Sequence, residues 1–267
     1  MKLFNLNLDM RPPRRYFFKN PNLSERFHIL QREIRRLQPD FITFQEATDI
    51  LLLANLRAMY FSPYRYIAKG LFRLQGGLVT ACDSTKWQLA YKKFYAFSDQ
   101  GKFFSREIAD RLLKKGIMLT IFDHIKTGER IVLINVHLTA NYGRKKSDKE
   151  REVLKLQLAQ INALLQKKRH MGHFCLITGD FNADFSSLTM QNWIKESRLK
   201  TVFSQEPTIC PSVNPLCHPD QKLDCQIDNI LLRKSDYCAK NCQGELLFNK
   251  KESFISDHFG LYSNIAS

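Results

Sequence analysis

Polar residues able to bind a metal ion or move a proton recur where apolar runs of this chain end. Asn7 and Asp9 come at the end of the run that begins at Leu3, and Gln45 and Glu46 follow Phe41 to Phe44. Asn135 and His137 close a third run, Gly179-Asp180-Phe181-Asn182 follows Phe174 to Thr178, Asp228 lies within Gln226 to Leu232, and Ser256-Asp257-His258 precedes Phe259. Each has an ordinary structural reading. Asn7 suits a turn, Glu46 caps a following helix, His137 satisfies itself in a core, and Asp180 with Asn182 makes an Asx-turn. Strand ends on one edge of a sheet converge, however, so the set in this order reads as one pocket. A hard cation such as Mg2+ takes oxygen ligands and keeps several waters, which Glu46 with Asn7, Asp9 or Asp257 would supply. A histidine near neutral pKa takes a proton from water, and a carboxylate on its other nitrogen fixes the tautomer. Asp228 and His258 have the character for that pair.

The elements that must position these residues follow from hydrophobic period. Met1 to Asp9 alternates as a strand, and Arg11-Pro12-Pro13-Arg14-Arg15 then reads as a loop. Ser24 is expected to cap a helix with Phe27, Leu30, Ile34 and Leu37 on its apolar face, stopped by Pro39. Asp40 to Gln45 reads as a strand, with a second helix from near Thr48. Further strands are expected at Gly77 to Cys82, Trp87 to Phe94, Ile117 to Phe122, Arg130 to Leu138, Phe174 to Thr178, Gln226 to Leu232 and His258 to Tyr262. Ser147-Asp148-Lys149-Glu150 is a capping box opening a helix with Val153, Leu154, Leu158, Ile161, Leu164 and Leu165 on one side. The order predicts an α/β chain of mixed sheets with helices packed outside.

Composition bounds the reading. The chain has 267 residues, 44% hydrophobic and 12% aromatic, without a linker-like stretch, so a single domain over 1–267 is expected. Its formal charge of +15 attracts polyanions, whether nucleic acid, an anionic membrane or a phosphorylated substrate, or simply solvates a basic surface. No segment approaches the roughly 20 apolar residues of a membrane helix, and no secretory leader is visible. The expected location is cytoplasmic, or outside the cell by a route without a Sec signal. Seven cysteines cannot all pair, and the five between Cys210 and Cys242 lack paired C-x2-C knuckles. Reduced thiols are expected there in preference to a zinc site of Cys210, Cys217, His218, Cys238 and Cys242.

The motifs together resemble the endonuclease/exonuclease/phosphatase superfamily. The resemblance runs from Leu3-Phe4-Asn5-Leu6-Asn7 through Phe44-Gln45-Glu46, Asn135-Val136-His137-Leu138, Gly179-Asp180-Phe181-Asn182 and Ile227-Asp228-Asn229 to Ser256-Asp257-His258-Phe259. It implies a DNase I-like, four-layer α/β sandwich of two mixed sheets flanked by helices. It further implies Glu46 as main metal ligand with Asn7 and Asp257 beside it, Mg2+ or alternatively Mn2+ as the ion, and Asp180 orienting the attacking water. Asn182 would hydrogen-bond the scissile phosphate, His258 would be the base or a phosphate contact with Asp228 its partner, and His137 would protonate the leaving oxygen or stabilise charge. His137-Leu138-Thr139-Ala140-Asn141-Tyr142 is most similar to the neutral sphingomyelinase-like branch, and Asn214-Pro215-Leu216 points the same way. Asp9 beside Asn7 is a feature also of abasic-site enzymes, and Asn229 departs from the aromatic residue usual after the aspartate.

Three functions compete on these grounds. The first is a phosphodiesterase acting on a phospholipid head group, a monomer in peripheral contact with a membrane. The second is a Mg2+-dependent nuclease acting on DNA or RNA, favoured by the charge. The third is a non-catalytic binding protein on an inherited fold. Phe17-Phe18 and Phe103-Phe104, beside Lys19, Lys102 and Arg106, read as a membrane wedge, as base-stacking aromatics or as core.

Overall fold

The computed structural model describes residues 1–9, 23–47, 63–67, 77–98, 115–139, 148–168, 174–217, 221–233, 235 and 241–266. The expected helix near Thr48, the Arg11 to Arg15 loop, Ser147, both Phe-Phe pairs, His218, Cys238 and Ala140 to Tyr142 lie outside the described residues. The chain opens with β1 (Lys2–Asn7), α1 (Leu23–Leu37) and β2 (Phe41–Gln45). β3 (Tyr64–Ile67), β4 (Val79–Asp83), β5 (Trp87–Ala96), β6 (Gly116–His124) and β7 (Arg130–His137) follow. Then come α2 (Asp148–Lys168), β8 (Phe174–Asp180), α3 (Leu188–Glu196), β9 (Leu199–Thr201), β10 (Asp228–Arg233), β11 (Asn241–Leu247) and β12 (Gly260–Ala266).

These strands form two sheets of six, ordered β11-β12-β1-β2-β4-β3 and β5-β6-β7-β8-β10-β9. At the centre of each lies a parallel pair, β1 with β2 and β7 with β8, joined through α1 and α2; the described neighbours pair antiparallel. The central strands are buried on both faces, which is why β7 reads Ile-Val-Leu-Ile without polar alternation. Period-2 alternation then sorts the side chains into layers. Leu3, Phe41, Leu133, Leu176, Ile230 and Leu261 pack between the sheets. Phe4, Leu6, Ile42 and Phe44 turn the other way, under Leu30, Ile34 and Leu37 of α1. Val132, Ile134, Val136 and Ile177 likewise meet Leu154, Leu158 and Ile161 of α2 and Trp193 of α3. The result is the expected α/β sandwich, helix, sheet, sheet, helix.

Local chemistry sets the ends. α1 stops at Gln38, whose φ of 46 and N–H bond to the Ile34 carbonyl make the left-handed turn that Pro39 then prevents from continuing. Ser24 lies inside this helix, not before it as expected, since Leu23 is already helical. Lys126-Thr127-Gly128 turns β6 into β7 with Gly128 at φ 70. The six described cysteines are free thiols.

Candidate active site

Both parallel pairs deliver their C-terminal ends to one place. Asn7 ends β1, Gln45 ends β2 with Glu46 just beyond, His137 ends β7 and Asp180 ends β8. Asp228 opens β10 directly opposite Asp180 in register, and Ser256-Asp257-His258 leads into β12. Asn7 Nδ2 donates to Asp180 Oδ2 at 2.9 Å, tying the first strand of one sheet to the second sheet. Ser256 Oγ donates to the Asn7 carbonyl at 2.6 Å. Asn214 Nδ2 holds the Ser256 carbonyl at 2.9 Å, and the Cys217 thiol donates to the Asp257 carbonyl, with sulfur 3.4 Å from the oxygen.

His258 and Asp228 are both buried, with Nδ1 and Oδ2 2.7 Å apart. Thr208 Oγ donates to the same Oδ2 at 2.8 Å and accepts the N–H groups of Ile227 and Asp228 at 3.1 and 3.0 Å. The free ring nitrogen, Nε2, faces Asp257 Oδ1 at 3.8 Å and Asp180 Oδ2 at 3.9 Å. Burial disfavours charge on this ring, but Asp228, Asp257 and Asp180 outweigh it and hold His258 well above the usual histidine range. Asp180 is pushed upward, first by burial and then by the charge of Asp228.

His137 is pressed the other way, down to about 4, by burial and then by the charge of Lys115, against the pull of Asp180 and Glu46. Lys115 Nζ lies 2.9 Å from His137 Nε2. An ammonium group can only donate, so Nε2 accepts and the neutral ring carries its proton on Nδ1. Glu46 Oε1 and Asp180 Oδ2 are 3.7 and 3.5 Å from the same Nε2. Glu46 itself has φ 51. The neighbouring Gly77, at φ 64, makes room for this bend, because a Cβ there would come within 2.9 Å of the Glu46 Cα.

Two of the expected site residues also make the turns that an ordinary reading gave them. Asp180 Oδ1 accepts the Asn182 N–H at 2.7 Å, and Asn7 Oδ1 accepts the Asp9 N–H at 3.0 Å. Asn182 Nδ2 donates to the Leu138 carbonyl at 2.8 Å and to Asp180 Oδ2 at 3.2 Å. Asp9 is half-buried at φ 47. Among the described residues, Asp180, Asp228 and His258 present ligand atoms within 4.8 Å of one another. Asp228 Oδ2 is already committed to His258 and Thr208, while its Oδ1 is buried without a hydrogen-bond partner among the described residues. Glu46, Asp257 and the Asn7 side-chain oxygen are hard oxygen donors in a pocket crowded with carboxylates, a donor set that fits a hard divalent cation.

This arrangement spans nearly the whole chain, as does the sequence match to the Endonuclease/Exonuclease/phosphatase family over residues 3–258. The chain belongs to that family. Comparison with curated proteins gives no match. Solved structures share the DNase I-like fold. Staphylococcus aureus beta toxin aligns at TM-score 0.74 and 19% identity, covering 100% of this chain and 99% of its own. D. rerio TDP2 in complex with a single-strand DNA product aligns at 0.68 and 14%, covering 100% and 99%. The Bacteroides thetaiotaomicron mannosyl-6-phosphatase aligns at 0.73 and 15%, covering 100% of both chains. At such identities the likeness concerns the fold. The family architecture accounts for the convergence of motifs so far apart in sequence.

Sequence reasoning missed Lys115 and Thr208. Lys115 precedes β6, where a lysine looks like any strand-flanking charge; the pairing of Gly116 with His137 is what brings it to the pocket. Thr208 lies in irregular chain, joined to the site through isolated bridges of Ile209 to Cys225 and His258. Asn229, the departure from the family pattern, is buried and exchanges hydrogen bonds with the backbone of Phe203.

Proposed function

We propose that the chain is a divalent-metal-dependent phosphoester hydrolase, specifically a phosphodiesterase acting on phospholipid head groups. The observation that carries the reaction class is the buried Asp228–His258 pair, its free Nε2 turned toward Asp180 and Asp257. Glu46, with Asn7, Asp257 and Asp9, would hold Mg2+ or, alternatively, Mn2+. The bound ion would neutralise carboxylate charge, letting His258 give up its proton near neutral pH, and would polarise a phosphoryl oxygen.

In this reading His258 takes a proton from the attacking water at Nε2 while Asp228, steadied by Thr208, holds the ring and stabilises the imidazolium. Asp180 orients the water. Asn182 contacts the phosphate by exchanging its longer bond, the 3.2 Å one to Asp180. Lys115 faces the negative charge that develops on phosphoryl and leaving oxygens, and the neutral His137, accepting at Nε2, holds that ammonium group in place.

The lipid head group is supported by the similarity of His137 to Tyr142 and of Asn214-Pro215-Leu216 to the sphingomyelinase-like branch. Asn214 braces Ser256 beside Asp257. We infer a monomer of one domain in peripheral membrane contact; among the described residues no helix is long and apolar enough to cross a membrane. A nuclease is the second reading, favoured by the +15 charge and by the TDP2 complex with a DNA product. A panel of sphingomyelin, plasmid DNA, RNA, inositol phosphates and an aryl phosphodiester, each with Mg2+ and with EDTA, tests the choice. Mg2+-dependent release of the lipid head group is expected. Faster cleavage of nucleic acid would transfer the assignment to the second reading, and no hydrolysis of any member would support a non-catalytic role. Glu46→Ala should remain folded and inactive; full turnover would remove Glu46 from the ligand set.

A further inference from the structure

A belt of buried amides lies just behind the site. Asn5 precedes Asn7 by two residues, Asn135 precedes His137 by two, and Gln45 immediately precedes Glu46. Residues two apart on a strand share a face, so Asn5 and Asn135 sit beneath Asn7 and His137. Asn5, Gln45 and Asn135 are each 0% exposed. Gln45 Nε2 donates one hydrogen to Asn5 Oδ1 at 2.8 Å and the other to Asn135 Oδ1 at 2.7 Å. Asn135 Nδ2 reaches back across the gap between sheets to the carbonyls of Phe44 and Val79, at 3.1 and 3.0 Å. Thr43 Oγ adds a bond to Asn5 Oδ1 at 2.9 Å. The end of β2 is therefore fastened to the second sheet through both a side chain and its main chain.

Stability alone does not call for this arrangement. Elsewhere the gap between the sheets is filled by Leu3, Phe41, Leu133 and Leu176, which need no partners, whereas a buried amide needs each bond made, and among the described residues Gln45 Oε1 and Asn5 Nδ2 have no hydrogen-bond partner. The belt occurs where the chain does something costly. A non-glycine residue in the left-handed region costs on the order of 1–3 kcal/mol and persists where its surroundings over-determine it. Glu46 at φ 51 is such a residue, with Gly77 packed against its backbone on one side and Gln45 anchored on the other. Asn135, at the other end of the anchor, is on the strand that carries His137.

We propose that Gln45, clasped by Asn5 and Asn135, is a positioning residue that sets where Glu46 stands relative to His137, and so sets the affinity of the site for its cation. This inference rests on the reading of Glu46 as a cation ligand. Outer hydrogen-bond partners of metal ligands commonly govern affinity by about 10- to 100-fold.

Gln45→Met keeps the length of the side chain and removes the donor. Calorimetric titration of the substrate-free protein with Mn2+ should show affinity lowered at least tenfold, with the Mn2+ concentration for half-maximal activity raised in step. Thr43→Val, which removes one bond to Asn5 and leaves Gln45 untouched, should shift the melting temperature and leave Mn2+ affinity within twofold. If Gln45→Met does not fold, Asn5→Leu removes one side of the clasp and gives the same reading. Wild-type Mn2+ affinity in either folded variant, beside a Glu46→Ala control that has lost it, overturns the inference alone. Wild-type affinity in Glu46→Ala overturns the ligand assignment and this inference with it.

Discussion

His258 and His137 face one pocket yet are driven to opposite protonation by the company they keep. Carboxylates surround the first; an ammonium group sits on the second. Such a split gives one site a charged ring and a neutral one from the same residue type, and in the proposed mechanism a bound cation would free His258 to accept a proton. In the proposed mechanism Asp228 and His258 act as one device, because the carboxylate both orients the ring and stabilises its cation. Asp228→Asn and His258→Ala should each lose several orders of magnitude in kcat, and the double variant should be little worse than the poorer single. Rates and melting curves on the same preparations check this. If Asp228 merely anchors a turn and His258 merely packs against Phe259, the variants lose stability while activity per folded molecule persists. At this scale the sequence was informative where side-chain type declares chemistry, as for Asp228, His258 and Glu46. It was silent where a commonplace residue acquires a role by burial. Lys115 among many lysines and Thr208 in irregular chain carry no mark until the strands are paired.

Each sheet is built around the same unit, a strand, an outer helix and a parallel strand, and both units end at the site. Period and β-branched content made β1, β2, β6, β7 and β8 legible, since strands buried on both faces must be apolar throughout. The strands that escaped notice, β3, β9 and β11, all lie at sheet edges. An edge strand buries little and needs no apolar run; β11 reads Asn-Cys-Gln-Gly-Glu-Leu-Leu and is mostly exposed or half-buried. The short α3 escaped for a related reason, with Met190 and Trp193 as its buried residues. Close approach of β8 to β7 depends on Gly179, at φ 139, where a Cβ would lie 2.0 Å from the Val136 carbonyl oxygen. Backbone, not a flexible side chain, is in the way. Gly179→Ala should therefore cost about 3 kcal/mol or more in urea unfolding and displace Asp180 with it. Gly128→Ala, at φ 70 with open space around it, should cost about 1 kcal/mol and leave turnover unchanged. Equal losses in the two variants would show that the contact between β7 and β8 is not the constraint.

Across the whole molecule the charges oppose those of the pocket. The chain carries a formal +15, while its site gathers Glu46, Asp180, Asp228 and Asp257. A basic exterior draws in a polyanionic surface or polymer, and an acidic interior draws in a cation; the scissile phosphate must pass from one field into the other. Salt separates the two. Exterior attraction acts through solvent and is screened over about 8–10 Å at physiological ionic strength, whereas groups in the buried pocket are screened much less. Binding of anionic phosphatidylserine vesicles or of duplex DNA should thus weaken by at least about a hundredfold between 50 and 500 mM KCl, in proportion to the number of phosphates neutralised. Turnover of a small aryl phosphodiester at saturating Mg2+ should change by less than about threefold over the same range, because its reacting groups lie in the buried pocket, where salt screens little. Vesicle sedimentation, a DNA binding isotherm and the small-substrate rate, measured in one buffer series, check the pair. A small-substrate rate falling as steeply as vesicle binding would mean that exterior lysines and arginines take part in the reaction itself. Vesicle and DNA binding both indifferent to salt would mean that the basic surface merely solvates the protein.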